Sequence, residues 1–133
     1  IHTKEERYLA TAKKVADYFI ANIPASKLIP VDFRQPETPA YEDSTAAAIA
    51  SCGLLELAKY VPENEKSKYE DAALEMLRAL AEKRCNWDEN VDNLVEKCTA
   101  AYHDAEHEFS IIYGDYYFIE AIWKLMGKEF FIW

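Results

Sequence analysis

From about Lys4 to Asn22, apolar residues fall at Tyr8, Ala12, Val15, Ala16, Phe19, Ile20 and Ile23. That i, i+3, i+4 spacing predicts an amphipathic helix with its apolar stripe half-buried. Lys4, Glu5, Glu6, Lys13, Lys14 and Asp17 lie mostly off the stripe, and Pro24 stops the helix. A second helix is predicted over about Ser44 to Tyr60, capped by Asp43. Its apolar residues (Ala46, Ala47, Ala48, Ile49, Ala50, Cys52, Leu54, Leu55, Leu57, Ala58) cover most of the circumference. A helix apolar nearly all round is surrounded by protein. A third helix, about Glu65 to Lys83, carries Tyr69, Ala72, Ala73, Met76, Leu77, Leu80 and Ala81 on one stripe.

The stretch Ser110 to Leu125 predicts the fourth helix. Gly114 and Asp115 read as a turn and a helix start, with Asp115 as N-cap. Tyr116, Tyr117, Phe118, Ile119, Ala121, Ile122, Trp123, Leu125 and Met126 follow, broken only by Glu120 and Lys124. This is a second central helix. Between the helices, residues 25–42 form a long loop with Pro30, Pro36 and Pro39, in which Ile29 to Phe33 reads as extended. Loops of that length in a compact domain are often functional. Residues 84–109 show little helical period. Leu94-Val95 and the run Phe109 to Tyr113 read as short strands able to pair.

The order is amphipathic, all-apolar, amphipathic, all-apolar. Alternating outer and inner helices make the pattern of an α/α toroid. The expected fold is all-α, two outer/inner helical hairpins with long loops. Two hairpins cannot close a ring, so either more chain completes it or the segment packs another way.

At 133 residues the chain is one domain or a piece of one. Half its residues are hydrophobic, enough for a packed core. With 15 basic and 24 acidic residues its net charge is −9, which argues against a nucleic-acid backbone as partner. No apolar run is long enough to span a bilayer. No leader pattern shows, but the chain starts at Ile1, so one could have been removed; a soluble protein of cytoplasm or periplasm is expected. Cys52, Cys85 and Cys98 are odd in number and lack metal spacing, which fits free thiols.

Few residues point to chemistry unaided. His103 and His107, with Asp104, Glu106 and Glu108, resemble a metal cluster, but no ligand spacing supports one, and a solvated acidic loop is the reading adopted. Asp32, Asp43 and Asp115 sit at loop or helix starts. Paired carboxylates can run acid/base chemistry on sugars, yet Asp43 and Asp115 stand where caps belong. Trp87, Trp123, Trp133 and nine tyrosines offer faces for a sugar ring, although core filling is their ordinary role. Tyr113, Tyr116 and Tyr117 stand out because they flank the start of an inner helix, a natural place for an anion.

Several motifs together resemble a known family. Ile29-Pro30-Val31-Asp32-Phe33, then Asp43-Ser44-Thr45-Ala46-Ala47-Ala48, then Gly53-Leu54-Leu55-Glu56-Leu57, are similar to segments of the unsaturated glucuronyl hydrolases (glycoside hydrolase family 88). So is Glu106 to Ala121, with its Tyr113-Gly114-Asp115-Tyr116-Tyr117 core. The resemblance covers nearly the whole chain and matches the C-terminal third of the family. It implies part of an (α/α)6 toroid. It implies an enzyme that hydrates the C4–C5 double bond of the unsaturated uronic acid left by a polysaccharide lyase, releasing the neighbouring sugar.

Within this resemblance the catalytic aspartates lie upstream, so none of Asp32, Asp43 or Asp115 is catalytic and the isolated chain is expected to be silent. Ser110, Tyr113 and Tyr116 are the expected substrate-binding residues. No cofactor and no metal are implied. The partners are unsaturated uronic-acid oligosaccharides and the rest of the parent chain. Val31 stands where the family usually has Trp, and Lys97 where it has His, which alters local substrate contacts. Two alternatives remain: a helical interaction module without an active site, and another toroid glycosidase or an epimerase.

Overall fold

In the computed structural model, residue 3 and residues 5–128 are described. They form four helices and no strand: α1 (Glu6–Ala21), α2 (Ser44–Ala58), α3 (Glu63–Lys83) and α4 (Ile112–Leu125). The helix most enclosed by the others is α2, which packs broadly on α3 and α4 and only lightly on α1. Small residues permit this. Ala47, Ala48 and Ser51 of α2 are buried, as are Ala72 and Ala73 of α3. The Ser51 hydroxyl donates to its own helix at the Ala47 carbonyl, 2.8 Å, and lies 3.4 Å from the Ala73 carbonyl of α3. Its polar atom is thus satisfied between two helices whose separation their side chains set.

The third helix carries its predicted stripe inward, with Tyr69, Ala72, Ala73, Met76, Leu77 and Leu80 all buried. The Tyr69 ring is fully buried, and its phenol donates to Asp17 Oδ1 at 2.9 Å, tying α3 to α1. The Lys68 ammonium reaches the same oxygen at 2.6 Å.

Two predicted stripes meet less protein than expected. On α1 only Ala16 is buried, while Tyr8 and Val15 are 54% and 64% exposed. On α4 the buried residues are Gly114, Phe118 and Ala121, whereas Ile112, Tyr113, Ile119, Trp123, Leu125 and Met126 are exposed. Both helices thus present apolar residues to solvent, with Arg7 lying over the Tyr8 ring and Lys128 over that of Trp123. Trp133 lies outside the described residues.

The start of α4 also corrects the sequence reading. The helix begins at Ile112, so Asp115 lies inside the first turn and is not its N-cap. The predicted strand pairing is likewise replaced. Val95 bridges Cys85, and Phe109 bridges Cys98, each an isolated antiparallel bridge. The extended reading of Ile29 to Phe33 survives as a bridge between Pro30 and Glu42, with the Val31 amide donating to the Tyr41 carbonyl at 3.0 Å. Cys52 and Cys98 are buried free thiols, and Cys85 is half-buried. Burial, with the Glu120 carboxylate nearby, pushes the Cys52 thiol up to about 12, which leaves it inert.

Candidate functional site

The N-terminal end of α2 gathers the loops. Asp43 is its N-cap: Oδ1 accepts from the Thr45 amide at 2.9 Å and from the Thr99 amide at 3.1 Å. The Ser44 amide donates to the Lys97 carbonyl at 2.9 Å. Two amides of this helix end, those of Ser44 and Thr45, are therefore taken by the protein's own groups.

Around it a polar network locks two loops together. The Arg84 guanidinium donates to both oxygens of Glu42, Nε to Oε2 at 2.6 Å and Nη2 to Oε1 at 2.8 Å. The carboxylate beside it raises the Arg84 pKa. Glu108 accepts from the Glu42 amide at 3.0 Å through one oxygen and from the Lys97 ammonium at 3.1 Å through the other. Thr99 Oγ1 donates to the Glu42 carbonyl at 2.8 Å and accepts from the Glu108 amide at 3.1 Å. Lys97 and Glu108 hold left-handed backbone conformations, φ 55° and 59°. Such strain persists where surrounding bonds over-determine the chain, and here both side chains are tied to each other.

The histidines do not assemble a metal cluster: among the described residues no group of three candidate ligands comes together. His107 instead stacks on Tyr41, ring centroids 4.0 Å apart and nearly parallel, while its Nε2 lies 3.0 Å from the Tyr102 carbonyl. His103 stands edge-on to Tyr102 and is exposed.

Beside the Asp43 cap lies a cleft of about 510 Å³, lined by Phe19, Thr45, Ile49, Thr99, Ile111 and Tyr113 among others. Its walls are mainly apolar, and Tyr113, 62% exposed, stands free to meet a ligand. Of the three residues expected to bind substrate, only Tyr113 lines this cleft. Ser110 is exposed at the entry to α4. Tyr116, one turn along from Tyr113, is half-buried edge-on against Tyr117. Burial and the Glu120 carboxylate raise its phenol's pKa, so it stays a hydrogen-bond donor at neutral pH. The three are not brought onto one wall.

Asp115 serves structure. Oδ1 accepts from the Val95 amide at 2.7 Å and Oδ2 from the Leu94 amide at 3.2 Å. Asp32 Oδ1 accepts from the Arg34 amide at 2.7 Å, closing a turn in the long loop. Each of the three aspartates singled out in the sequence thus has an oxygen engaged by backbone.

Sequence reasoning missed Glu42, Arg84 and Glu108 as organisers of this end. The one available signal was their charge in otherwise loop-like sequence, which marks solvated surface equally well.

Against this geometry the comparisons with known proteins are specific. No family model matches the chain. It is 34% identical over 124 residues to an unsaturated glucuronyl hydrolase of Bacillus sp. (strain GL1), covering 88% of this chain and 32% of that protein. It is 31% identical over 131 residues to an unsaturated chondroitin disaccharide hydrolase of Streptococcus pneumoniae, covering 91% of this chain and 32% of that one. A solved unsaturated glucuronyl hydrolase of Streptococcus agalactiae superposes with a TM-score of 0.88 at 28% identity, over 99% of this chain and 36% of the other. The chain therefore spans about a third of the length of the proteins it matches. Its all-helical architecture is that of part of their α/α toroid. Over that third, the chain is similar to the unsaturated glucuronyl hydrolases in both sequence and fold.

Proposed function

We propose that this chain is the C-terminal third of an unsaturated glucuronyl hydrolase and supplies two outer/inner hairpins and part of the cleft wall. The parent enzyme adds water across the C4–C5 double bond of an unsaturated uronic acid at the non-reducing end of a lyase product. The hemiketal so formed opens and releases the neighbouring sugar. The catalytic aspartates belong to the rest of the parent chain. The observation that carries this reading is a likeness running through nearly every described residue, motif loops included, rather than through one helix pair.

In this reading the cleft beside the Asp43 cap receives substrate. Tyr113, which lines it, offers a ring face and a phenol; Ser110 and Tyr116, which do not line it, lie three residues to either side. Aromatic faces suit the apolar face of a sugar ring, with the polar tip left for its hydroxyls. The Asp43 cap takes the Thr45 amide and the Lys97 carbonyl takes that of Ser44, so neither is available to the uronate carboxylate.

The test is made in the full-length enzyme with an unsaturated disaccharide. Tyr113→Ala should raise KM about tenfold, the order of a lost stacking contact and hydrogen bond, with the melting temperature little changed. Tyr116→Phe should raise KM less. A fall in melting temperature with unaltered kinetics in both variants would return these tyrosines to packing.

A further inference from the structure

A second cleft, about 410 Å³, adjoins the first and shares Phe19 and Ala46 with it. Its walls include Tyr18, Val31, Asp32, Phe33 and Arg34. Together the two clefts form one groove running over the N-terminal end of α2, from Tyr113 to the 22–43 loop. Along this groove Arg34 is the one cation among the lining residues. Its guanidinium has no ion pair or hydrogen bond among the described residues.

The other cations at this end of α2 are spent: Arg84 on Glu42 and Lys97 on Glu108. The groove's own carboxylates are engaged with backbone, Asp32 on the Arg34 amide and Asp43 on the Thr45 and Thr99 amides. The Asp32 bond fixes the turn that carries Arg34. Beside it stand Tyr18, 55% exposed, and Phe33, whose ring packs edge-on against Phe19 at 5.3 Å. An exposed, unpaired guanidinium on a cleft that Tyr18 and Phe33 also line, in a chain of net charge −9, matches an anionic group on a ligand with apolar ring faces.

We propose that this outer half of the groove is a subsite for an acidic sugar further along the oligosaccharide, with Arg34 pairing its carboxylate. The inference rests on the hydrolase reading of the adjoining cleft and names a substrate class for it: unsaturated oligosaccharides longer than a disaccharide that carry a second uronate. The Tyr113 end takes the units near the double bond. Arg34 holds the acidic unit beyond them, and Tyr18 and Phe33 lie against its ring.

The experiment uses the full-length enzyme and two substrates. One is an unsaturated tetrasaccharide with a uronate as its third unit. The other is that tetrasaccharide with this carboxyl reduced to an alcohol. The wild type should show a KM about tenfold lower for the acidic form, as a charge-assisted hydrogen bond would give. The preference should fall as salt rises. Arg34→Gln should abolish it and Arg34→Lys should keep part of it. No preference in the wild type, or one that survives Arg34→Gln, would overturn the proposal. Calorimetric binding of a saturated tetrasaccharide of the same composition separates the two readings. Binding that Arg34→Gln abolishes, in a protein that turns over neither substrate, would retain the acidic subsite and discard the hydrolase reading.

Discussion

The carboxylate of Asp115, inside the first turn of α4, accepts the backbone amide of Val95 at 2.7 Å. Val95 is fully buried, and its neighbour Leu94 donates to the other oxygen of the same carboxylate. The side chain thus fastens the 84–99 segment to the helix. Asp115→Ala would leave two amides unpaired, one of them sealed from water, at a cost of about 2–4 kcal/mol. Asp115→Asn keeps one acceptor oxygen and should cost about half as much. Urea denaturation of the full-length enzyme checks the order; equal stability of Ala and wild type would remove Asp115 from the scaffold.

Gly114 makes a second tie at the same place. A Cβ added there would stand 2.6 Å from Cys98 Sγ and 3.4 Å from Val95 Cβ. Both neighbours are fully buried, so neither swings aside. Gly114→Ala should destabilise by about 1–3 kcal/mol. Adding Cys98→Ala removes the sulfur and should restore part of that loss, a coupling that a double-mutant cycle reads directly. Strict additivity would mean that the sulfur is not what limits the approach.

Glu108 predicts a pH dependence. Burial raises its carboxyl, but the Glu42 amide and the Lys97 ammonium outweigh burial and hold its pKa below the ordinary 4.5. A folded-state value below the unfolded one stabilises the native state above pH 4.5 and ceases to do so as pH falls through the folded value. Glu108→Gln should therefore lower stability near neutral pH and flatten its decline below that point. An acid limb as steep in the variant as in the wild type would show that Glu108 contributes none of it.

The exposed faces of α1 and α4 predict the behaviour of the 133-residue chain by itself. Ile112, Ile119, Leu125 and Met126 on α4, with Tyr8 and Val15 on α1, leave apolar surface on both flanks. Contiguous exposure of this kind marks an interface. The chain alone should bind an apolar fluorescent dye and self-associate at high concentration, and the full-length enzyme should do neither. A dye-free monomer would favour the independent interaction module over the toroid segment.

The helices were legible because their apolar spacing is a local property; α3 buries its stripe, whereas the all-round apolarity of α2 leaves Ile49 43% exposed. What periodicity cannot convey is whether a partner is present: Val15 and Tyr8 mark an inward face of α1, yet they meet solvent here. The Asp115 error has a similar origin. Gly-Asp after two isoleucines reads as a turn, but the carboxylate's partners lie twenty and twenty-one residues back, at Val95 and Leu94. The polar network of Glu42, Arg84, Thr99 and Glu108 was illegible for the same reason, since the bonds to Glu42 span 42 to 66 residues. Among the residues expected to bind substrate only Tyr113 lines the cleft beside the Asp43 cap. Arg34 escaped notice altogether: an exposed charge in a proline-rich loop has no local mark of function.

Loss of ultraviolet absorbance from the conjugated double bond of an unsaturated uronyl disaccharide tests the central claim most directly. The full-length enzyme should remove that absorbance and release the neighbouring sugar, and the 133-residue chain alone should leave it unchanged. Turnover by the isolated chain would place the catalytic groups among its own residues. A full-length protein that cleaves saturated ends and spares the unsaturated ones would contradict the assignment outright.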